Sequence, residues 1–434
     1  MPPIDTSETA SRRLTGKWLV CACLLIVFAG FSLWHFVKPM PPGTHVASIT
    51  DRVAESSAFF LCNCRPDASL LSRSLSAIDH AQQLILIDGT SSTPVLVQHL
   101  LARKRLRPQV KIVFLTDQRS AIPGNSLDAN WVALESAGVI VVRINIAVLR
   151  DPNPLLALFW RLGITTRSSA ESIDRRSLIV VDNGLGDWTT LLMSADPFAE
   201  TASNDDAGVQ ISGPLAHQVL NSELAIARWS GNDDRLPAVP PIEGGGLGSV
   251  DVRFLTEGVI ASNTLEAINS ANKDTEIGIV MMSLSDMPII SALHRAVSRG
   301  VRVRVLLTGH QYPNPAVAAI LAGTYSPPLN APILLRWRSP LLPTLATRLI
   351  IVRNRAEVWL SIGSSDLTRR SLHDFNLEAN VELRFTAHSK LAQEYLTYYD
   401  ALWAAGVGYG LYADESPGTY WRYRLLEELG MLSN

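Results

Sequence analysis

Two clusters of side chains stand at matching places along this 434-residue chain. In the first, Arg175, Ser177 and Asp182 ride on the apolar run RRSLIVVD, and Ser194-Ala195-Asp196 follows. In the second, Ala346, Arg348 and Arg353 frame TRLIIVRN, and Gly363-Ser364-Ser365-Asp366 follows, with Glu378 and Asn380 beyond it in FNLEANVEL. A guanidinium grips phosphate or carboxylate in a two-pronged fork and stays protonated at any ordinary pH, so it binds anions and cannot act as a nucleophile. Arg175, Arg348 and Arg353, with the hydroxyls of Ser194 and Ser364, therefore suit an anion or headgroup site. The competing reading makes them ordinary arginines paired with Asp182 or Glu378, and a Glu378–Arg348 salt bridge is the expected form of that pairing.

Neither cluster contains an imidazole. A neutral imidazole is the group that would attack phosphorus or move a proton near neutral pH. His310, at the end of the strand-like GVRVRVLL, and His373, just past the second cluster, are the candidates for a rebuilt site, while His217 lies on a helix and reads as solvated or capping. No zinc spacing, G-x-S-x-G elbow or nucleotide-binding glycine loop occurs, and GGGLG at Gly244 follows prolines rather than a strand. No metal or cofactor is expected. Cys62 and Cys64 form C-N-C, a spacing that reads as too tight for an easy mutual disulfide and too poor in ligands for a metal.

The elements that position these clusters alternate. Ala68 to Gln82 has helical spacing, LILID (Leu84–Asp88) reads as a buried strand, Pro94–Leu106 as a helix, VKIVFL (Val110–Leu115) as a strand, Asn130–Gly138 as a helix and VIVVRI (Val139–Ile144) as a strand. The pattern begins again with TLEAINSAN (Thr264–Asn272), a strand at Ile277–Met282, a helix at Pro288–Ser298 and GVRVRVLL. An offset of about 170 residues is too long for a solenoid unit and marks a duplicated α/β domain.

The paired order, with S-x-S-D at Ser283–Asp286 and a hairpin ending in G-S-x-[ND], resembles the phospholipase D superfamily over most of the chain, roughly residues 55–406. The run LRDPNP at Leu149 is most similar to bacterial cardiolipin-synthase-like membrane proteins. The resemblance implies two halves packed face to face around one site, and it implies chemistry by two H-x-K-x(4)-D motifs. One histidine of such a pair forms a phosphohistidine, the other protonates the leaving group, and the lysines hold the phosphoryl oxygens. In this register the first histidine and lysine fall on Arg175 and Ser177, with Asp182 retained. The second set falls on Ala346, Arg348 and Arg353. Both histidines and both lysines are absent, so the motif is degenerate and that reaction has no nucleophile.

The segment WLVCACLLIVFAGFSLWHFV, Trp18 to Val37, holds no charged side chain and would span about 30 Å as a helix. Arg12, Arg13 and Lys17 precede it, which by the positive-inside rule predicts a single-pass inner-membrane anchor with a cytoplasmic N-terminus and a periplasmic or extracytoplasmic body. A composition of 47% hydrophobic residues supports a large core, and a net charge of −2 argues against a nucleic-acid partner. The expected fold class is α/β: two tandem phospholipase-D-like halves with mostly parallel or mixed sheets and helices on both faces, preceded by one transmembrane helix. The expected divisions are a tail (1–17), the anchor (18–37), a linker (38–54), a first half (55–236), a Pro/Gly-rich linker (237–249), a second half (250–410) and a helical tail (411–434). The sequence thus predicts an internally duplicated, anchored pseudoenzyme that binds phospholipid headgroups or partners at the outer face of the membrane, with the lipid bilayer beside it. Its alternative is an active phosphatidyltransferase or phosphodiesterase of the cardiolipin-synthase type.

Overall fold

Runs such as LILID and LIVVD are aliphatic at every position, which suits a strand covered on both faces. In the computed structural model both are strands with every residue buried. The structure describes residues 20, 22–35, 38, 40, 49–65, 69–90, 92–117, 126–149, 153–163, 172–182, 187–199, 205–238, 246, 248–309, 313–325, 332–343, 345–428 and 432. The strands in chain order are β1 (Ile49–Val53), β2 (Ala58–Cys62), β3 (Leu84–Asp88), β4 (Lys111–Asp117), β5 (Ile140–Ile144), β6 (Leu178–Asp182), β7 (Trp188–Met193), β8 (Ala207–Ser212), β9 (Val250–Thr256), β10 (Glu276–Met281), β11 (Arg302–Leu307), β12 (Leu334–Trp337), β13 (Leu349–Arg353), β14 (Glu357–Gly363), β15 (Ala379–Thr386) and β16 (Val407–Gly408).

They form two mixed sheets. One has seven strands in the order β2-β8-β7-β6-β3-β4-β5, the other nine in the order β1-β9-β15-β14-β13-β10-β11-β12-β16. In each, a parallel core joined by helical crossovers (β3-β4-β5, β10-β11-β12) continues into antiparallel hairpins (β6-β7, β13-β14). β1 falls in the stretch that reads as a linker, yet it pairs antiparallel with β9 at the edge of the nine-stranded sheet.

Helices α1 (Leu70–His80), α2 (Pro94–Leu106) and α3 (Ser126–Ser136) belong to the first half, together with α4 (Pro154–Arg161) and the long α5 (Pro214–Trp229). The second half has α6 (Gly258–Ser270), α7 (Met287–Ser298), α8 (Asn314–Leu321), the short α9 (Arg369–Leu372), α10 (Lys390–Ala404) and α11 (Pro417–Glu428). The central core holds residues of both sheets with α5 and α10, so the halves meet face to face. A second core packs α6, α7 and α8 on the outer face of the nine-stranded sheet, and a third packs α1 to α3 on the seven-stranded one. Two-sided burial explains the lack of apolar alternation in the central strands.

The anchor expected over Trp18–Val37 is overturned. Among the described residues, no helix is long and apolar enough to cross a membrane. One side of the helix at residues 22–35 docks on the protein: Ser32 and His35 are buried, and the Ser32 carbonyl accepts a hydrogen bond (3.1 Å) from Asn153, the N-cap of α4. The expected transmembrane element of the fold class is withdrawn. So are the single-pass inner-membrane topology, the bilayer partner and the outer-face headgroup-binding role. Trp18, Leu19, Cys21, Phe36 and Val37 lie outside the described residues, as do Arg12, Arg13, Lys17 and His310.

Two smaller expectations also change. Cys62 and Cys64 form a disulfide with Cα atoms 5.1 Å apart, because the chain turns sharply as β2 ends. His217 is not solvated but buried on α5, its ring edge-on to Trp188 at 5.5 Å.

Candidate active site

The site forms where the segment before β6 meets the segment before β15. Asp174 and Leu377 form an isolated parallel bridge: the Arg175 N–H donates to the Leu377 carbonyl (3.0 Å) and the Leu377 N–H to the Ile173 carbonyl (2.9 Å). This stitch between the halves brings Arg175 beside Asp366, at the end of the β13–β14 hairpin. Arg175 Nη1 lies 3.7 Å from Asp366 Oδ2, and Arg348 Nε lies 3.1 Å from the same oxygen. Asp366 is fully buried, and its Oδ1 accepts from the Ser283 N–H (3.1 Å) at the end of β10. The Arg348 guanidinium also donates to the carbonyls of Ser194 and Ala346. Two guanidiniums, one from each half, therefore converge on one carboxylate oxygen. Burial opposes the Arg348 charge, yet Asp366 and Glu378 together outweigh it and raise its pKa.

Glu378 is also buried and accepts 2.6 Å from the Ser364 hydroxyl. Burial pushes its carboxyl up to about 7, while Arg175 and the Ser364 hydroxyl pull it back. The expected Glu378–Arg348 bridge is replaced by Arg348–Asp366. Asn380 accepts from the Ser365 N–H (3.2 Å) and donates to the Ser361 hydroxyl (3.0 Å), fixing the G-S-x-D turn. Gly363 is required there, because a Cβ would collide with the Ala379 carbonyl.

The first-half cluster is less convergent. Asp182 accepts from the backbone N–H groups of Gln82, Gln83 and Leu84, a structural use of its carboxylate. Asp196 accepts from the N–H and hydroxyl of Thr90 and from the Phe198 N–H, so it ties the loop after β3. Ser194 donates to the Ala207 carbonyl (2.7 Å), and Ser177 is buried with no partner for its hydroxyl. Ala346 offers only its carbonyl. Asp206, buried near Arg348, is pushed up to about 7 by burial against the pull of that guanidinium.

Arg353 is not part of the site. It ends β13 and pairs with Glu276 (3.2 Å) and Asp400 (3.6 Å). His373 Nε2 lies 2.7 Å from Asp286 Oδ2, and the ring is 41% exposed. Asp286 also caps α7 through the Ile289 N–H, and its own N–H donates to the carbonyl of Leu367, the residue after Asp366. The His373–Asp286 pair is thus fastened to the hairpin end that carries Asp366.

Sequence reasoning missed a buried polar cluster behind Arg175. Arg176 is fully buried and bridges Glu223 (2.7 Å) on α5 and Glu257 (2.5 Å) before α6. Glu257 adopts a positive φ of 46° and accepts from the Glu378 N–H (3.3 Å). Burial, with the neighbouring carboxylates, pushes Asp88 and Asp174 well above the usual range. The available signal was Glu223, an acid among apolar positions in LNSELAIARW. No group of three or more His, Cys, Asp or Glu placed to hold a metal occurs among the described residues.

Comparisons with known proteins agree with this architecture. The family model described as "Cardiolipin synthase, PLD-like domain" matches residues 264–403. No curated protein matches the chain. Phosphatidylserine synthase of Haemophilus influenzae is similar in structure with a TM-score of 0.58 at 11% identity, over 92% of this chain and 97% of that one. Polyphosphate kinase of Porphyromonas gingivalis aligns at a TM-score of 0.48 and 12% identity, over 86% of this chain and 53% of that one. The phospholipase D family member Nuc of Salmonella typhimurium aligns at 0.29 and 25% identity, over 36% of this chain and 96% of that one. Residues 264–403 thus resemble the cardiolipin-synthase PLD-like domain, and the fold of the chain is similar to that of the Haemophilus influenzae phosphatidylserine synthase.

Proposed function

We propose that this chain handles a phosphodiester of phospholipid metabolism at the junction of its halves, as a phosphatidyltransferase or phosphodiesterase of the cardiolipin-synthase type that works without paired histidines. The observation that carries this reading is the convergence of Arg175 and Arg348 on Asp366 Oδ2. A site that orients two forks toward one anionic oxygen suits a phosphodiester, whose non-bridging oxygens present the same acceptors. In this reading Asp366 holds the position that the substrate's phosphate takes. His373, oriented by Asp286, removes the proton from a water or alcohol as its oxygen bonds to phosphorus and the bond to the leaving alcohol breaks. The family match over 264–403, which contains Ser283–Asp286, Gly363–Asp366 and Glu378, supports the substrate class.

The test is direct. The purified full chain is incubated with detergent-dispersed phosphatidylglycerol and with bis-p-nitrophenyl phosphate, and product is followed for the native protein, His373→Ala and Arg348→Ala. Turnover that falls on the order of a hundredfold or more in His373→Ala supports the reading. Absence of turnover in the native protein, or turnover untouched by both substitutions, sinks it.

A second reading is favoured by two observations: Ala346 stands at one expected histidine position, and Asp366 already pairs with both arginines. The junction then serves as an internal clasp between the halves and turns nothing over.

A further inference from the structure

The turn that ends β2 carries the disulfide between Cys62 and Cys64, two residues apart in sequence. A disulfide stabilises a fold chiefly by closing a loop of the unfolded chain, and the gain shrinks with the loop. This bridge encloses Asn63 alone and joins no second element. Hydrogen bonds already hold the turn: the Asn63 N–H donates to the Asp206 carbonyl (3.0 Å) and the Arg65 N–H to the Cys62 carbonyl (3.5 Å). The Asn63 side chain accepts from the Leu70 N–H (3.1 Å) at the start of α1. The turn therefore keeps both sulfurs as neighbours when the bond between them is open.

The two sulfurs differ in access. Cys62 has no exposed surface and belongs to the core shared by the two sheets, with Phe60 and Ala207. Cys64 is exposed. A cysteine buried among apolar side chains stays a neutral thiol, whereas reagents reach an exposed one. Attack on a disulfide depends on which sulfur is accessible, so an incoming thiolate bonds to Cys64 and expels Cys62. Little loop gain, a preformed turn and one accessible sulfur together mark a bond suited to exchange rather than to support.

We propose that this turn is a thiol–disulfide exchange site for small thiols, in which Cys64 is the residue modified and Cys62 resolves the adduct. In the opening direction a thiolate bonds to Cys64 Sγ as the Cys62–Cys64 bond breaks, and Cys62 leaves as a thiolate and takes a proton from water. In the closing direction Cys62 loses that proton, attacks Cys64 Sγ and expels the small thiol. With a dithiol reductant, the reagent's second thiol attacks the reagent sulfur held by Cys64. The reagent then leaves as a disulfide, two electrons pass to the protein, and both cysteines end as thiols. The site uses no residue of the junction, so it stands whether or not the junction turns over a phosphodiester.

The experiment uses the full chain with Cys21→Ser and Cys23→Ser, so that only this pair reports. The protein is reduced with dithiothreitol without denaturant, desalted and given excess oxidised glutathione, and released glutathione and intact mass are followed. The pair is expected to release two glutathiones per chain and return to the disulfide. Acid quenching at early times, with peptide mapping, is expected to place the first adduct on Cys64, a reading that needs no further variant. Cys62→Ala is expected to release one glutathione and keep the other, its adduct outlasting that of the intact pair by about tenfold or more. Cys64→Ser is expected to react only once urea is added, which also shows that its Cys62 thiol is intact. Failure of dithiothreitol to open the pair without denaturant, a first adduct on Cys62, two glutathiones released from Cys62→Ala, or Cys64→Ser reacting as fast as Cys62→Ala would each overturn the proposal.

Discussion

Asp366→Asn changes one atom at the centre of the junction and removes the charge on which both arginines converge. Asp366 has no exposed surface, Arg348 side-chain exposure is 9% and that of Arg175 is 16%. Stripping one partner from a buried ion pair costs about 3–5 kcal/mol, because the remaining charge stays desolvated. Asparagine keeps the shape and can still accept from the Ser283 N–H, and Arg175 reaches some solvent, so the cost falls at the low end, about 3 kcal/mol. Urea unfolding followed by tryptophan fluorescence measures it. The informative arm is rescue. If Asp366 stands where a phosphate would, inorganic phosphate should stabilise the variant more than the native protein. At a hundred times its dissociation constant the gain is about 2.7 kcal/mol, enough to cancel most of the loss. Sodium chloride at matched ionic strength controls for screening. A variant as stable as the native protein, or one that phosphate rescues no better than chloride, refutes the idea that this carboxylate occupies an anion site.

Two further outcomes are expected. Arg176→Met leaves Glu223 and Glu257 facing each other without their shared cation and should destabilise the fold by about 3–5 kcal/mol in urea, while adding Glu223→Gln and Glu257→Gln recovers part of the loss; a single variant within 0.5 kcal/mol of native, roughly the scatter of surface substitutions, contradicts the clasp. Glu427 on α11 accepts 2.9 Å from the Ser285 hydroxyl, and burial pushes its carboxyl up to about 7. A carboxyl whose folded pKa exceeds its unfolded one stabilises the fold below the unfolded value and loses that contribution as pH rises through the folded one. The native urea midpoint should therefore fall between pH 5 and 8, and Glu427→Gln should remove on the order of 2 kcal/mol of that fall.

Much of the fold is legible in the sequence because its signals are local. LILID reads as a buried strand and GVRVRVLL as a strand, the helices between such runs have helical spacing, and the duplicate order fixes where the second set begins. Features that depend on distant partners are not legible. β1 resembles a linker because a five-residue edge strand has no pattern of its own until β9 lies beside it. The apolar run after Lys17 satisfies every local test for a membrane span, but nothing local reveals that the Ser32 carbonyl takes a hydrogen bond from Asn153 at the start of α4.

At the site, the register placed Arg348 and Arg353 together, and elementary strand geometry separates them. Five residues of extended chain cover about 17 Å, and an odd spacing turns the two side chains to opposite faces of the sheet. Arg348 enters the junction, whereas Arg353 leaves for Glu276 and Asp400. Parity alone could have excluded Arg353. No such rule would have found Asp366 between two arginines, because Arg175 is brought there by the stitch to Leu377, some 200 residues away in sequence. That geometry also explains a pattern the sequence shows only as loss. Arginines at a histidine and a lysine position would leave two buried cations in close approach unless an anion joined them. An aspartate at the [ND] position of the G-S-x-[ND] turn supplies one, where asparagine could not. Arg175, Arg348 and Asp366 therefore act as one unit, and Asp366→Asn alone should cost more stability in urea unfolding than Asp366→Asn combined with Arg348→Lys and Arg175→His.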